Sequence, residues 1–234
     1  MTVGRSSGLE GALAGALEIA RAHGRKRATP QDLLISLIDD ADAARVMQGA
    51  GIDLERLRAD ALASMDGAAE GRRVLFARPR MTVDLHSLLA QAGRYAERVG
   101  RPLVTTVDAL VELLSDAVGT VFEKQGLTRY GAICFLSHGS MTNPTPPIPS
   151  GTAMVEIAIV NDPYTPMEFV VWVLEQVFGL DREGAIKIML ATHHEGACRC
   201  GVFPPAEAER LVAKIIDLAW EHKHPLRCVA RLPT

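Results

Sequence analysis

The strongest constraint on this chain of 234 residues is that its first part repeats itself. Leu9 through Asp40 realigns with Leu85 through Asp116 at a constant shift of about 76 residues. Ala16 meets Ala92, Gly24 meets Gly100, Thr29 meets Thr105, Asp32 meets Asp108 and Leu37 meets Leu113. After a one-residue slip, Gly51-Ile52 meets Gly126-Leu127. Apolar positions, caps and stops coincide together, so two copies of one helical unit are expected rather than two unrelated helix pairs. Leu9, Leu13, Ala16, Leu17 and Ala20 mark one helix face, with Gly24 as its stop. Thr29 is expected to cap a second helix, with Pro30 at its first position and Asp32 closing a capping box. Leu33, Leu34, Leu37 and Ile38 form its apolar face, and shorter helices fit 41–48 and 53–64. The Gly-, Ala- and Arg-rich tract 65–80 reads as the connection between the copies.

The repeats end at a proline cluster. Residues 140–151 read SMTNPTPPIPSG, with Pro144, Pro146, Pro147 and Pro149. Such a stretch cannot hold a helix and leans to extended geometry, so a semi-rigid linker is expected. Beyond it the texture changes. Residues 154–160 form an apolar, β-favouring run closed by Asn161-Asp162-Pro163. Thr165-Pro166-Met167-Glu168 reads as another capping box, with Pro166 at the first helical position. Phe169, Val170, Val173, Leu174, Val177 and Phe178 make the buried face of that helix, and Gly179 ends it. Asp181 caps the next helix and Gly196 stops it. A strand at 200–203, a helix opened by Pro204-Pro205 and a strand at 226–232 complete the order β-α-α-β-α-β. The fold class expected is therefore two domains. An all-α tandem of four-helix repeats (1–139) comes first, then the linker (140–152) and a small α/β sandwich (153–234).

Composition narrows the partners. Lys+Arg number 25 against Asp+Glu 28, a formal charge of −3, so no basic face for nucleic acid or anionic membrane is expected. No apolar run reaches the ~18–20 residues of a membrane span. The first residues, Met-Thr-Val-Gly-Arg-Ser-Ser, form no apolar h-region, and the expected location is cytoplasmic. Cys134, Cys198, Cys200 and Cys228 then read as reduced thiols.

The second half resembles the ClpS adaptor family. The carrying residues are Val160-Asn161-Asp162-Pro163-Tyr164-Thr165-Pro166-Met167-Glu168-Phe169-Val170, Met189-Leu190-Ala191-Thr192-His193, Cys200-Gly201-Val202-Phe203 and His224-Pro225-Leu226. The first half is similar to the N-terminal domain of the ClpA and ClpC unfoldases. There the likeness rests on Thr29 to Leu37 with Ala43-Ala44, on Gly126-Leu127-Thr128-Arg129-Tyr130 and on Phe135-Leu136-Ser137-His138-Gly139. Gly-x-x-x-x-Gly-Lys-[Ser/Thr] does not occur in the sequence, so no ATP phosphate cradle is expected and no enzymatic activity.

The resemblance implies an adaptor for N-degrons, proteins recognised by their first residue and handed to a Clp unfoldase of the ClpA or ClpC type with its peptidase. A free α-amino group has a pKa of ~7.7–8.0 and needs acceptors around its N–H bonds. Asn161 offers an amide oxygen, Asp162 a carboxylate and His193 a ring nitrogen, with Thr165 supporting them from the helix cap. By resemblance, Met167, Val170, Met189, Thr192 and Leu226 wall a pocket for Leu, Phe, Tyr or Trp, and Met167 gates against β-branched residues. Four positions depart from the family. Pro163 replaces a common carboxylate, and Thr192 replaces an aliphatic residue and makes a more polar pocket the expectation. Ala206 and Leu211 stand where charged residues contact the unfoldase. Covalent joining of the two modules makes contact between them an expectation. Two other readings stand beside the adaptor. One is a motor-less decoy that competes for Clp adaptors or substrates. The other is a metal-dependent hydrolase using His193, His194 and the cysteines, against which Cys-x-Cys lacks the usual zinc-site spacing. No metal and no cofactor is expected.

Overall fold

The computed structural model describes residues 3–66, 79–151 and 153–233. They divide into two units, Met1–Phe135 and Leu136–Thr234. The first contains β1 (Gly4–Arg5), α1 (Ser7–Ala22), β2 (Arg27–Ala28), α2 (Pro30–Ile38), α3 (Ala41–Gly49) and α4 (Leu54–Asp66). The second copy follows with β3 (Arg80–Met81), α5 (Val83–Arg98), β4 (Leu103–Val104), α6 (Thr106–Leu113), α7 (Gly119–Glu123) and α8 (Arg129–His138), within which the division falls. Most of the connecting tract 65–80 lies outside the described residues.

Both copies start their second helix in the same way. Thr29 accepts from the Asp32 backbone N–H, and Asp32 accepts from that of Thr29. Thr105 and Asp108 repeat this box. The two carboxylates are buried and each meets an arginine from the loop before it, Arg25 on Asp32 and Arg101 on Asp108. An N-cap of this kind contributes about 1 kcal/mol, and the ion pair removes the cost of a buried charge. Gly49 of α3 lets the Phe135 ring of α8 approach closely, since a Cβ there would overlap the ring.

The helical reading of this half holds, with one addition. Four two-residue strands form two parallel pairs, β1 with β4 and β2 with β3. Each copy lends its opening strand to the other: Ser6 N–H donates to Val104 O, and Thr82 N–H to Ala28 O, both at 2.9 Å. The copies are thus interlocked rather than strung in series. Two residues carry no alternation, so no sequence period could reveal these strands.

The second unit runs β5 (Val155–Val160), α9 (Met167–Phe178), α10 (Arg182–Glu195), β6 (Ala197–Phe203), α11 (Pro205–Glu221) and β7 (Arg227–Arg231). Its sheet is antiparallel with order β6-β5-β7. Val155, Ile157 and Ile159 turn one face of β5 into a core with Val170, Val173 and Leu174 of α9 and Val212 and Ile215 of α11. Each such side chain contributes about 1.5–3 kcal/mol on full burial. On the alternate positions Glu156 is buried against Arg231 at 2.7 Å, with Arg199 at 3.8 Å. Asp181 caps α10 as expected, accepting from Gly184 N–H.

The helix start at residue 165 differs from expectation. α9 begins at Met167 and its N-cap is Pro166, which has no capping side chain. The Thr165 hydroxyl therefore caps nothing. The reason lies three residues earlier, where Asp162 Oδ1 accepts from the N–H groups of Tyr164 and Thr165 and folds the chain into a turn ahead of the helix.

Candidate functional site

The loop after β5 and the end of α10 meet through the backbone. Asn161 N–H donates to Gly196 O at 2.8 Å, and Gly196 N–H to Thr192 O at 2.9 Å. Gly196 adopts φ +85°, the left-handed conformation that ends α10 and that L side chains rarely adopt. This sets Asn161 and Asp162 beside the last turn of α10, which carries His193. The negative end of that helix, equivalent to about half a charge, favours a cation there. Asn161 and His193 are exposed, and the His193 ring stands edge-on to that of His194 at 5.5 Å.

Asp162 is the unusual member. Its Oδ1 has two backbone donors, but Oδ2 is buried without a hydrogen-bond partner among the described residues, and so is Thr165 Oγ1. Burial raises the Asp162 pKa. The Thr165 hydroxyl and the N–H groups of Tyr164 and Thr165 pull it back without cancelling the rise. The hydroxyl acts from beside the carboxylate, although its geometry falls short of a hydrogen bond. A buried carboxylate oxygen with no donor is costly, and an incoming cationic donor removes that cost.

The apolar candidates adjoin this polar end. Met167 is half-buried at the start of α9, and Val170 lies one turn on, 8 % exposed. Met189 of α10 packs against the core cluster to which Val170 and Leu226 belong. Thr192 is buried and its hydroxyl donates to Ile188 O at 2.8 Å. That donor is committed to its own helix, which leaves the hydroxyl oxygen only as an acceptor. Pro163 is exposed, and Leu211 packs on the core rather than presenting a docking side chain.

The cysteines do not gather into a second centre. Among the described residues no three of His, Cys, Asp and Glu come together as a metal site. Burial pushes the Cys200 and Cys228 thiols up to about 12, which keeps them protonated. In the first unit, Val3, Arg5, Leu9, Leu89, Gly93 and Val104 help to line a groove of about 430 Å³. A Cβ at Gly93 would meet nothing there, and the matching position of the first copy is Leu17.

With two interlocked helical copies and this α/β unit in view, comparison with known proteins is direct. The Clp repeat N-terminal domain matches residues 6–125, and the ATP-dependent Clp protease adaptor protein ClpS matches residues 151–229. The chain joins a Clp repeat domain to a ClpS domain and belongs to both families. An adapter protein ClpS 2 of Rhodopseudomonas palustris is 47 % identical over 90 residues, 38 % of this chain and 83 % of that one. Another from Bradyrhizobium diazoefficiens is 53 % identical over 76 residues, 32 % of this chain and 69 % of that one. A solved structure from a malarial protein secretion system shares the fold at TM-score 0.51 and 16 % identity, covering 55 % of this chain and 88 % of its own. No helix among the described residues is long and apolar enough to cross a membrane.

Sequence reasoning named the ClpS-domain residues but missed two features of the site. One is the carbonyl end of α10, for which the Gly196 stop was an available signal. The other is Asn143, whose side chain donates to Leu226 O at 2.6 Å. A polar residue in a proline-rich stretch gives no periodic signal, and its partner lies 83 residues away.

Proposed function

We propose that the ClpS domain captures proteins by a free N-terminal residue and passes them to an ATP-dependent Clp protease, with no catalysis of its own. The observation that carries this reading is the unpartnered Oδ2 of Asp162, buried beside the unpartnered Thr165 hydroxyl at the negative end of α10. An α-ammonium supplies the charge and the donors these atoms lack. Asn161 and His193, both exposed at the same loop junction, offer the remaining acceptors. Met167, Val170, Met189, Thr192 and Leu226 receive the first side chain, and burying a Leu or Phe there is worth about 1.5–3 kcal/mol. Met167, at the mouth of that set, selects against β-branched residues. Handover to a Clp protease follows from the relatives, which are adapters of that protease.

Fluorescence binding tests the reading with peptides led by Phe, Leu, Val or acetyl-Phe. Phe- and Leu-led peptides bind, the Val-led and acetylated ones do not, and His193→Ala weakens the first two. Equal affinity for Phe and acetyl-Phe overturns recognition of the amine. In a Clp degradation assay the chain accelerates turnover of a Leu-led substrate, and slowing it overturns delivery in favour of a decoy.

A further inference from the structure

The proline-rich segment is more than a tether. Two of its residues, and one just before it, tie it to the region around Leu226 and Arg227. His138 lies close enough to the Arg227 charge that burial and this cation lower its pKa to about 4. The Asn143 amide donates to Leu226 O, Ile148 packs against the core cluster that contains Leu226, and the Asn143 side chain is itself partly buried with its Oδ1 unpartnered. All these residues belong to the second unit.

The backbone explains why such a contact is needed. The β5–β7 ladder runs from Glu156↔Arg231 to Val160↔Arg227 and ends there. Leu226 is one residue beyond it, preceded by Pro225, and is only 1 % exposed. A carbonyl buried past the end of a ladder must find a donor elsewhere. Asn143 is that donor, and its amide reaches Leu226 across the whole length of the domain's sequence.

Resting on the N-degron reading above, we propose that Asn143 is a positioning residue of the substrate pocket. It holds the Leu226 backbone in place, so that the Leu226 side chain forms a fixed wall for the first side chain of the bound protein. Ile148 seats the segment that carries it. Selectivity for an unbranched or aromatic first residue is thus set in part by a segment outside the α/β fold proper. A wall free to move admits more shapes and grips each less well.

The full chain, its Asn143→Ala, Asn143→Asp and Asn143→Gln variants, and Ile148→Ala are compared in peptide binding. Asn143→Asp keeps the shape and loses the donor, and Asn143→Gln keeps the donor. Removing one buried donor is expected to weaken Phe- and Leu-led peptides by about five- to tenfold. The residual affinity for the Val-led peptide, too weak to register in the first assay and read by competition at high peptide concentration, does not fall, so the Phe-to-Val preference narrows by the same factor in Ala and Asp, and Gln restores part of it. Ile148→Ala lowers the unfolding midpoint with a smaller change in preference. NMR of the Leu226 methyl groups shifts in the Ala and Asp variants. An unchanged Phe-to-Val ratio with unmoved Leu226 methyls in both variants overturns the proposal, even where overall affinity falls. If the unaltered chain fails to bind Phe-led peptides, the N-degron reading itself is what has failed.

Discussion

The two units treat their buried carboxylates differently. In the repeat domain Asp32 and Asp108 each close a capping box by accepting from the N-cap threonine's N–H, and each meets an arginine. Glu112 there faces Arg129 at 3.1 Å, and in the ClpS domain Glu156 holds Arg231. Asp162 is treated otherwise: among the described residues no arginine meets it, Oδ1 accepts twice, and Oδ2 has only the misaligned Thr165 hydroxyl beside it. A satisfied carboxylate holds a fold together, whereas one left half-satisfied is a place for something else to bind.

The largest test of this contrast is on stability. Asp32→Ala and Asp108→Ala should each cost about 3 kcal/mol, since each breaks a capping box and strands a partly buried arginine. Both tryptophans, Trp172 and Trp220, lie in the ClpS domain. Urea unfolding followed by helix circular dichroism should therefore show the loss while tryptophan fluorescence keeps its midpoint. Unequal losses in the two copies would break their equivalence. Asp162→Asn reverses the pattern. Affinity for a Phe-led peptide falls tenfold or more, the size of a lost charge-assisted bond of about 1.5–3 kcal/mol. The tryptophan-monitored midpoint holds or rises, because the amide oxygen can still accept from Tyr164 and Thr165 without the cost of a buried charge. A drop in stability as large as that of Asp32→Ala would place Asp162 among the structural carboxylates.

The pH dependence is next in size. Asp162 keeps its proton in the native state at pH values where an unfolded chain has lost it. Its ionisation therefore costs stability as pH rises from the unfolded pKa through the raised native one. An ammonium bound to the ionised form makes affinity run the opposite way. Binding is full above the raised pKa and is lost as pH falls through it, earlier than for an ordinary carboxylate. Anisotropy titrations carried downward through the acidic range should show this limb, above that of an ordinary carboxylate, in the native chain and lose it in Asp162→Asn. The smallest effect belongs to Thr165→Val. The hydroxyl makes no well-aligned hydrogen bond and only eases the Asp162 carboxylate from the side, so the unfolding midpoint should stay within ~0.5 kcal/mol of the native one, while amine binding weakens measurably. A large destabilisation would mean that the hydroxyl is structurally engaged.

Much of this could be read from residues. Thr29, Thr105 and Asp181 announce helices because a cap and the apolar period after it are local, and a repeated cap doubles the signal. Thr165 shows the limit of that logic. The same letters that spell a capping box were overruled by Asp162, which took the backbone N–H groups first. Family motifs brought Asn161, Asp162 and His193 to notice. That Asp162 keeps an oxygen in reserve depends on burial and on which donors arrive, and neither is written in spacing. Asn143 was hidden for a related reason, since its role exists only once β7 has ended one residue short of Leu226.

The exchange of opening strands between the two copies bears on how the protein is made. Gly4-Arg5 is synthesised well before its partner Leu103-Val104, which lies about a hundred residues behind it. The leading copy must therefore wait, incompletely ordered, until the trailing copy has been synthesised. Neither copy is a finished part that could be lent to another protein alone. The pair is expected to fold as one piece.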